Sequence, residues 1–315
     1  MRGRRMVFGR GKNMSKVKEL EEKLANVGYK SNKEINYALL MALTCEKPLL
    51  IEGDPGVGKT ALAQATADVL GLPLIRLQMY DGLTDDRVMY DYDYQKQLLV
   101  LEAIKPALNR EFEGLSINDT IHKAASELDF YGKEFLIERP ILKAINGKGR
   151  KVLLIDECDK APEEIEYMLY EFLENYSISI PQYGTIRCPE DQKPIVFITS
   201  NNYRELSGAL KRRCVYLYIP HKTQEEIRNI ILAKAGVDER IAKGISECLA
   251  ASYNIQLRQA PSIAEGIEWA RYIKGVDSPT KEEILASAGM LVKHHSDADM
   301  IKRIISAHGE QLWAM

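Results

Sequence analysis

The sequence has no apolar run approaching the ~18 residues of a membrane-spanning helix, so no membrane span is expected. No apolar stretch of signal-peptide length follows the basic residues near its start, which argues against export. Cysteine is sparse: Cys45, Cys158, Cys188, Cys214 and Cys248 are odd in number and show no C-x-x-C spacing. A reduced, cytoplasmic chain is therefore the expectation that fits best. Histidine is equally scarce. His294 and His295 sit in a polar stretch and His122, His221 and His308 stand alone, so they read as surface residues rather than metal ligands. An excess of either charge is missing too, because 43 basic residues face 45 acidic ones and leave a net charge of −2. Such a balance provides no general attraction to nucleic acid or to an anionic membrane, and neither is an expected partner without a local basic patch.

What the chain does have is length and an ordinary globular composition. Its 315 residues, 45% hydrophobic and 28% charged, allow a sizeable core and two domains. One local asymmetry stands out: Arg2, Arg4, Arg5, Arg10 and Lys12 occur without an acid. Three readings stay open for it: a basic arm, a start upstream of a natural one at Met14, or a nucleic-acid tail.

The most informative stretch is Gly53-Asp54-Pro55-Gly56-Val57-Gly58-Lys59-Thr60, which meets every defined position of the phosphate-loop pattern G-x-x-x-x-G-K-[ST]. An apolar run, Pro48 to Glu52, reads as a buried strand before it, and Lys59 to Leu70 reads as a helix stopped by Gly71. Glycine lets the backbone curl so that successive N–H groups face phosphate oxygens, and the positive end of the helix assists. Lys59 is expected on the β/γ-phosphates and Thr60 on Mg²⁺. The expected nucleotide contacts run from Gly53 to Ala61 and include Asp156.

Further strands are expected at Pro73–Met79, Lys151–Ile155, Pro194–Ser200 and Cys214–Ile219, separated by helices. That is the pattern of a parallel sheet covered on both faces. Tyr80 to Tyr94, rich in aspartate and tyrosine, fits no regular period. Helical stretches are expected at residues 15–42, Lys96–Ala107, Asn118–Leu128, Arg139–Ile145 and Ala161–Asn175, and a hairpin is expected around Gly184. Beyond Pro220 only helices are expected: Thr223–Ala235, Glu239–Ser252, Ser262–Lys274 and Lys281–Lys293.

Asp156-Glu157 ends an apolar strand, the place where phosphoryl chemistry needs acids beside a phosphate loop. Asp156 is suited to hold the metal's hydration shell and Glu157 to polarise an attacking water. Asn201 ends another apolar strand, either orienting that water or simply capping the strand. Lys211-Arg212-Arg213 precedes the last strand, either as a solvated turn or as an arginine finger reaching a neighbouring subunit.

In this order the chain resembles the AAA+ ATPases, and within them the MoxR-type group. The resemblance runs from about Ser31 to at least Trp269 and is most specific in the phosphate loop, Val152–Pro162 and Phe197–Asn201. Tracts Leu74–Leu83, Tyr92–Leu99 and Ile178–Ile186 are similar to the branch linked to maturation of carbon monoxide dehydrogenase. The resemblance implies an α/β fold with a five-stranded parallel sheet and a smaller all-α lid. Residues 1–30 form a leading arm and helix, 31–220 the nucleotide-binding domain and 221–315 the lid.

It further implies ATP and Mg²⁺ as cofactors and a homo-oligomeric ring of six subunits. Catalytic roles fall to Glu157, Asn201 and one of Arg212 and Arg213. The chain would then be a chaperone assisting maturation of, or metal insertion into, a client metalloenzyme such as a molybdenum hydroxylase, with a von Willebrand factor A domain partner. Residues 80–99 and the hairpin Ile178–Cys188 would face the pore or a partner. The family's sensor arginine falls close to Ile263, where this chain has none, and Arg258 is the nearest substitute. The alternative is a nucleic-acid motor or loader built on the same core.

Overall fold

The computed structural model describes residues 13–111, 113, 116, 119 and 129–313. The basic residues Arg2, Arg4, Arg5, Arg10 and Lys12, His122 and, residue 119 apart, the expected helix over 118–128 lie outside them. The chain divides into two compact units, described separately. The first runs to Glu52 and resumes over Thr60–Leu217; the second comprises Gly53–Lys59 and the chain from Tyr218 onward. Sequence reasoning puts the phosphate loop in the nucleotide-binding domain, whereas by packing it belongs with the helical unit.

Nine strands occur among the described residues: β1 (Leu49–Glu52), β2 (Leu74–Gln78), β3 (Tyr90–Tyr92), β4 (Leu136–Glu138), β5 (Val152–Asp156), β6 (Ser177–Ile180), β7 (Gly184–Arg187), β8 (Ile195–Ser200) and β9 (Val215–Tyr218). Five of them make one parallel sheet in the order β2-β5-β8-β1-β9. The three central strands β5, β8 and β1 are buried along their whole length. That burial explains their unbroken apolar composition, since a strand covered on both faces has no solvent side for alternation to mark. Leu50, Leu153, Ile155 and Ile198 of the sheet pack with Leu169 and Phe172 of the helix Glu163–Asn175 in one core.

Two features lie off the sheet. β3 pairs antiparallel with β4, and β6 with β7. The aspartate and tyrosine tract is thus a short helix, Asp85–Val88, followed by β3, whose partner β4 carries no sequence signal of its own. The helix expected from Ala161 starts instead at Glu163, because Cys158–Lys160 forms a 3-10 turn and Pro162 stands at its cap.

Described by itself, the second unit is helical after β9, with helices Gln224–Ala235, Glu239–Ser252, Ile263–Lys274, Lys281–Ala286 and Ala298–His308. The helix expected to run to Lys293 ends at Ala286, where a 3-10 turn over Ser287–Met290 follows. Ser287 explains the break, for its hydroxyl accepts from the indole N–H of the fully buried Trp269 at 2.7 Å and donates to the Ile284 carbonyl at 2.8 Å. Helix Ala298–His308 was not expected from sequence. Thr223, Ser262 and Thr280 each begin a helix through a reciprocal capping box with Glu226, Glu265 and Glu283. Among the described residues no helix is long and apolar enough to cross a membrane.

Candidate nucleotide site

Because β1, β5 and β8 are mutually parallel, their carboxyl ends share one edge of the sheet. Asp156 ends β5 there, almost fully buried, and its carboxylate gathers three donors. Thr60, the last residue of the phosphate-loop motif, donates its hydroxyl to Oδ1 at 3.0 Å, and Thr199 of β8 donates to the same oxygen at 2.6 Å. The guanidinium of Arg76 on β2 donates to Oδ2 at 2.6 Å while remaining 54% exposed.

Glu157, the next residue, has φ 57 and ψ 48, the left-handed region. Only local constraint holds a residue with a Cβ there, at a cost of about 1 to 2 kcal/mol. The constraint is visible: the Glu157 N–H donates to the Thr199 hydroxyl at 2.9 Å, so Thr199 ties both acids to β8. Its side chain is held on both oxygens. Asn201 Nδ2 donates to Oε1 at 3.1 Å, and Gln78 Nε2 and Lys160 Nζ donate to Oε2 at 2.9 and 2.8 Å. That bond to Glu157 raises the Lys160 ammonium above its usual range. Asn201 is itself anchored, since buried Asp159 accepts its backbone N–H at 3.0 Å.

Within the second unit, the loop shows why its glycines are glycines. Gly53, Gly56 and Gly58 all have positive φ. A Cβ on Gly53 would overlap the carbonyl oxygen of Ile219. Lys59 is buried, with its ammonium donating to the Gly53 and Asp54 carbonyls at 2.6 and 2.8 Å. Asp54 pairs with His221 Nε2 at 2.9 Å, and the His221 ring stacks on Tyr253 with centroids 4.0 Å apart. His221 is thus a half-buried partner of the loop rather than the surface residue expected from sequence.

The structure brings Thr60, Asp156, Glu157 and Asn201 together at one edge of the sheet. Arg76, Gln78 and Thr199 were missed; alternation along β2 and β8 offers no sign that these polar side chains meet the acids. The two finger candidates differ sharply. Arg213 folds back, donating to Glu174 at 3.0 Å and to the Ala209 carbonyl at 3.1 Å, with its guanidinium over the Tyr170 ring. Arg212 is exposed and has no side-chain partner among the described residues. Ile263 is buried in the helical core, and Arg258 nearby is exposed.

A phosphate loop after the first strand of a five-stranded parallel sheet, with acids ending another strand of that sheet, defines a P-loop nucleotide-binding protein. Residues 48–214 match the family described as AAA domain (dynein-related subfamily), and the chain belongs to that family. It is 50% identical to midasin of Giardia intestinalis over 38 residues, 12% of this chain and 1% of that protein. It is 25% identical to replication factor C subunit 3 of Arabidopsis thaliana over 221 residues, 67% of this chain and 54% of that one. The chain therefore spans about half the length of that relative. Among solved structures it is similar to the Thermotoga maritima RuvB Holliday junction branch migration motor, with TM-score 0.44 and 15% identity over 91% of this chain and 69% of that one. The fold is the AAA+ P-loop fold.

Proposed function

We propose that the chain is an ATP- and Mg²⁺-dependent ATPase that uses hydrolysis to remodel another protein. The observation that carries this reading is the linked set Thr60–Asp156–Thr199–Glu157–Asn201 at one sheet edge. The residues present fit a magnesium nucleotide. Thr60 and Asp156 supply adjacent oxygens of the hard type that Mg²⁺ takes, and Asp156 already accommodates a positive charge from Arg76. Loop glycines in positive-φ conformations leave a backbone cradle that side chains would fill.

Bound Mg²⁺ would neutralise charge on the phosphate oxygens. Lys59 exchanges its carbonyl partners for phosphate, Glu157 orients and deprotonates the attacking water, and Asn201 aims the Glu157 carboxylate. Arg213 or Arg212 acts across an interface in a homo-oligomeric ring of six subunits. Glu157→Gln keeps nucleotide binding and lowers turnover about a hundredfold or more. A wild-type rate in that variant overturns the assignment of the base.

The tracts Leu74–Leu83, Tyr92–Leu99 and Ile178–Ile186 support a client metalloenzyme, a molybdenum hydroxylase in particular, and a von Willebrand factor A domain partner. Retention of such an enzyme by the Glu157→Gln variant in ATP tests this, and its absence from the retained material counts against it. Likeness to a replication factor C subunit supports a second reading, a nucleic-acid motor or loader. ATPase stimulation by single-stranded DNA that fades with added salt would favour it. The near-neutral net charge and the acidic tract from Tyr80 to Asp93 weigh for the first.

A further inference from the structure

Within the first unit, away from Asp156 and Glu157, a cavity of about 350 Å³ opens between the β3 region, the helix Glu163–Asn175 and the hairpin β6–β7. Its wall is apolar and aromatic: Met89, Met168, Phe172, Tyr90 and Tyr94 all line it. Four acids line it as well, and their partners differ. Asp91 is neutralised by Arg139 at 2.8 Å, and Asp86 lies 3.6 Å from Arg87. Asp85 and Glu171 are exposed and have no cationic partner among the described residues. Burial, and after it the charge of Asp85, raises the Tyr90 phenol above its usual range, so that ring stays neutral beside the acids.

Tyrosine faces beside unpaired carboxylates attract cations, through the ring quadrupole and through direct charge. The same surface repels anions.

The cavity also has a continuation. Tyr94 begins the helix Tyr94–Glu111, where Leu98 and Leu99 are 62% and 66% exposed. A small amine would leave that apolar surface uncovered, whereas a peptide covers both.

We propose that this cavity docks a positively charged segment of a partner polypeptide, with an Arg or Lys side chain entering between Tyr90, Tyr94 and the Asp85 and Glu171 carboxylates and apolar neighbours covering Leu98 and Leu99. The site is read without nucleotide, so its failure and the failure of the ATPase reading are separable.

The test uses the full chain and two short fluorescent peptides, one alternating Arg with Leu and one alternating Glu with Leu, followed by anisotropy. The basic peptide binds, the acidic one does not, and binding weakens as salt rises. The exposed double variant D85N/E171Q loses about three- to tenfold in affinity while its circular dichroism is unchanged. Tyr94→Ala weakens binding as well. Equal binding of both peptides, or unchanged affinity in the double variant, overturns the proposal. If the basic peptide bound only after residues 1–12 were deleted, the occupant would be the chain's own basic segment and the partner assignment would fall.

Discussion

A Cβ placed on Gly56 would lie 2.8 Å from the Cβ of Ser262. Gly56 sits mid-loop at φ +82, and Ser262 caps the helix Ile263–Lys274 through its exchange with Glu265. The phosphate loop therefore packs directly on a helix cap more than two hundred residues away in sequence, within the same compact unit. Gly56→Ala meets two penalties, a left-handed backbone costing about 1 to 2 kcal/mol and a displaced cap. Both a lower unfolding midpoint and weaker nucleotide affinity are expected, and calorimetric titration beside a denaturant melt measures them. Unchanged affinity would mean that the loop adapts at no cost.

Glu157 is held by Asn201 on one oxygen and by Gln78 and Lys160 on the other. Asn201→Ala is expected to lower kcat with little change in nucleotide affinity, the signature of an interaction made in the transition state. Gln78→Leu removes a restraint without touching the loop, and basal turnover is expected to rise. Steady-state ATPase assays on both variants decide this; a Gln78 variant at the wild-type rate would leave that contact without a catalytic role.

Arg213 and Arg212 differ in what their side chains contact. Arg213→Ala loses an ion pair with Glu174 and a cation–π contact with Tyr170. Both sites are partly exposed, so about 0.5 to 1 kcal/mol and a fall in Tm of a few degrees are expected. Arg212→Ala is expected to leave Tm unchanged, since its side chain has no partner among the described residues. Mixing each variant with a Lys59 variant asks which arginine restores turnover between subunits.

Asp297 is expected to make the helical unit sensitive to acid. The backbone N–H of Gln259 and then that of Arg258 hold its carboxyl below the usual carboxylate range, helped by Ser296 and His294. A lowered folded-state pKa stabilises the fold above the unfolded value of about 3.9, and that contribution disappears as pH falls through the folded value. Asp297→Asn is expected to melt earlier at neutral pH and to show less loss between pH 4 and the acid end. Parallel acid-dependence in variant and wild type would assign the effect elsewhere.

Thiol labelling should discriminate among the cysteines. Burial raises Cys158 strongly and pushes Cys214 and Cys248 up to about 12, whereas Cys45 is exposed. Since the thiolate is the reactive form, iodoacetamide at mildly alkaline pH is expected to modify Cys45 first in the native protein, with mass spectrometry locating the adduct. Early modification of Cys158 would mean that the turn Cys158–Lys160 opens readily.

Spacing within short stretches determined a good deal here. Gly53 to Thr60 announces a phosphate loop, and the apolar runs before Asp156 and Asn201 announce buried strands that end in polar groups, because local backbone needs and burial act over a few residues. Helix ends at Thr223 and Ser262 follow from capping chemistry of the same short range. Tertiary structure alone decided the company those groups keep. Parallel register sets Gln78 beside Asp156, which is how β2 contributes Arg76 and Gln78 to the acids. Thr199 and the Gly56–Ser262 contact depend likewise on partners far along the chain, and so does the pairing of β3 with β4. Which distant side chains meet is a property of sheet order and packing, and no local pattern of residues carries it.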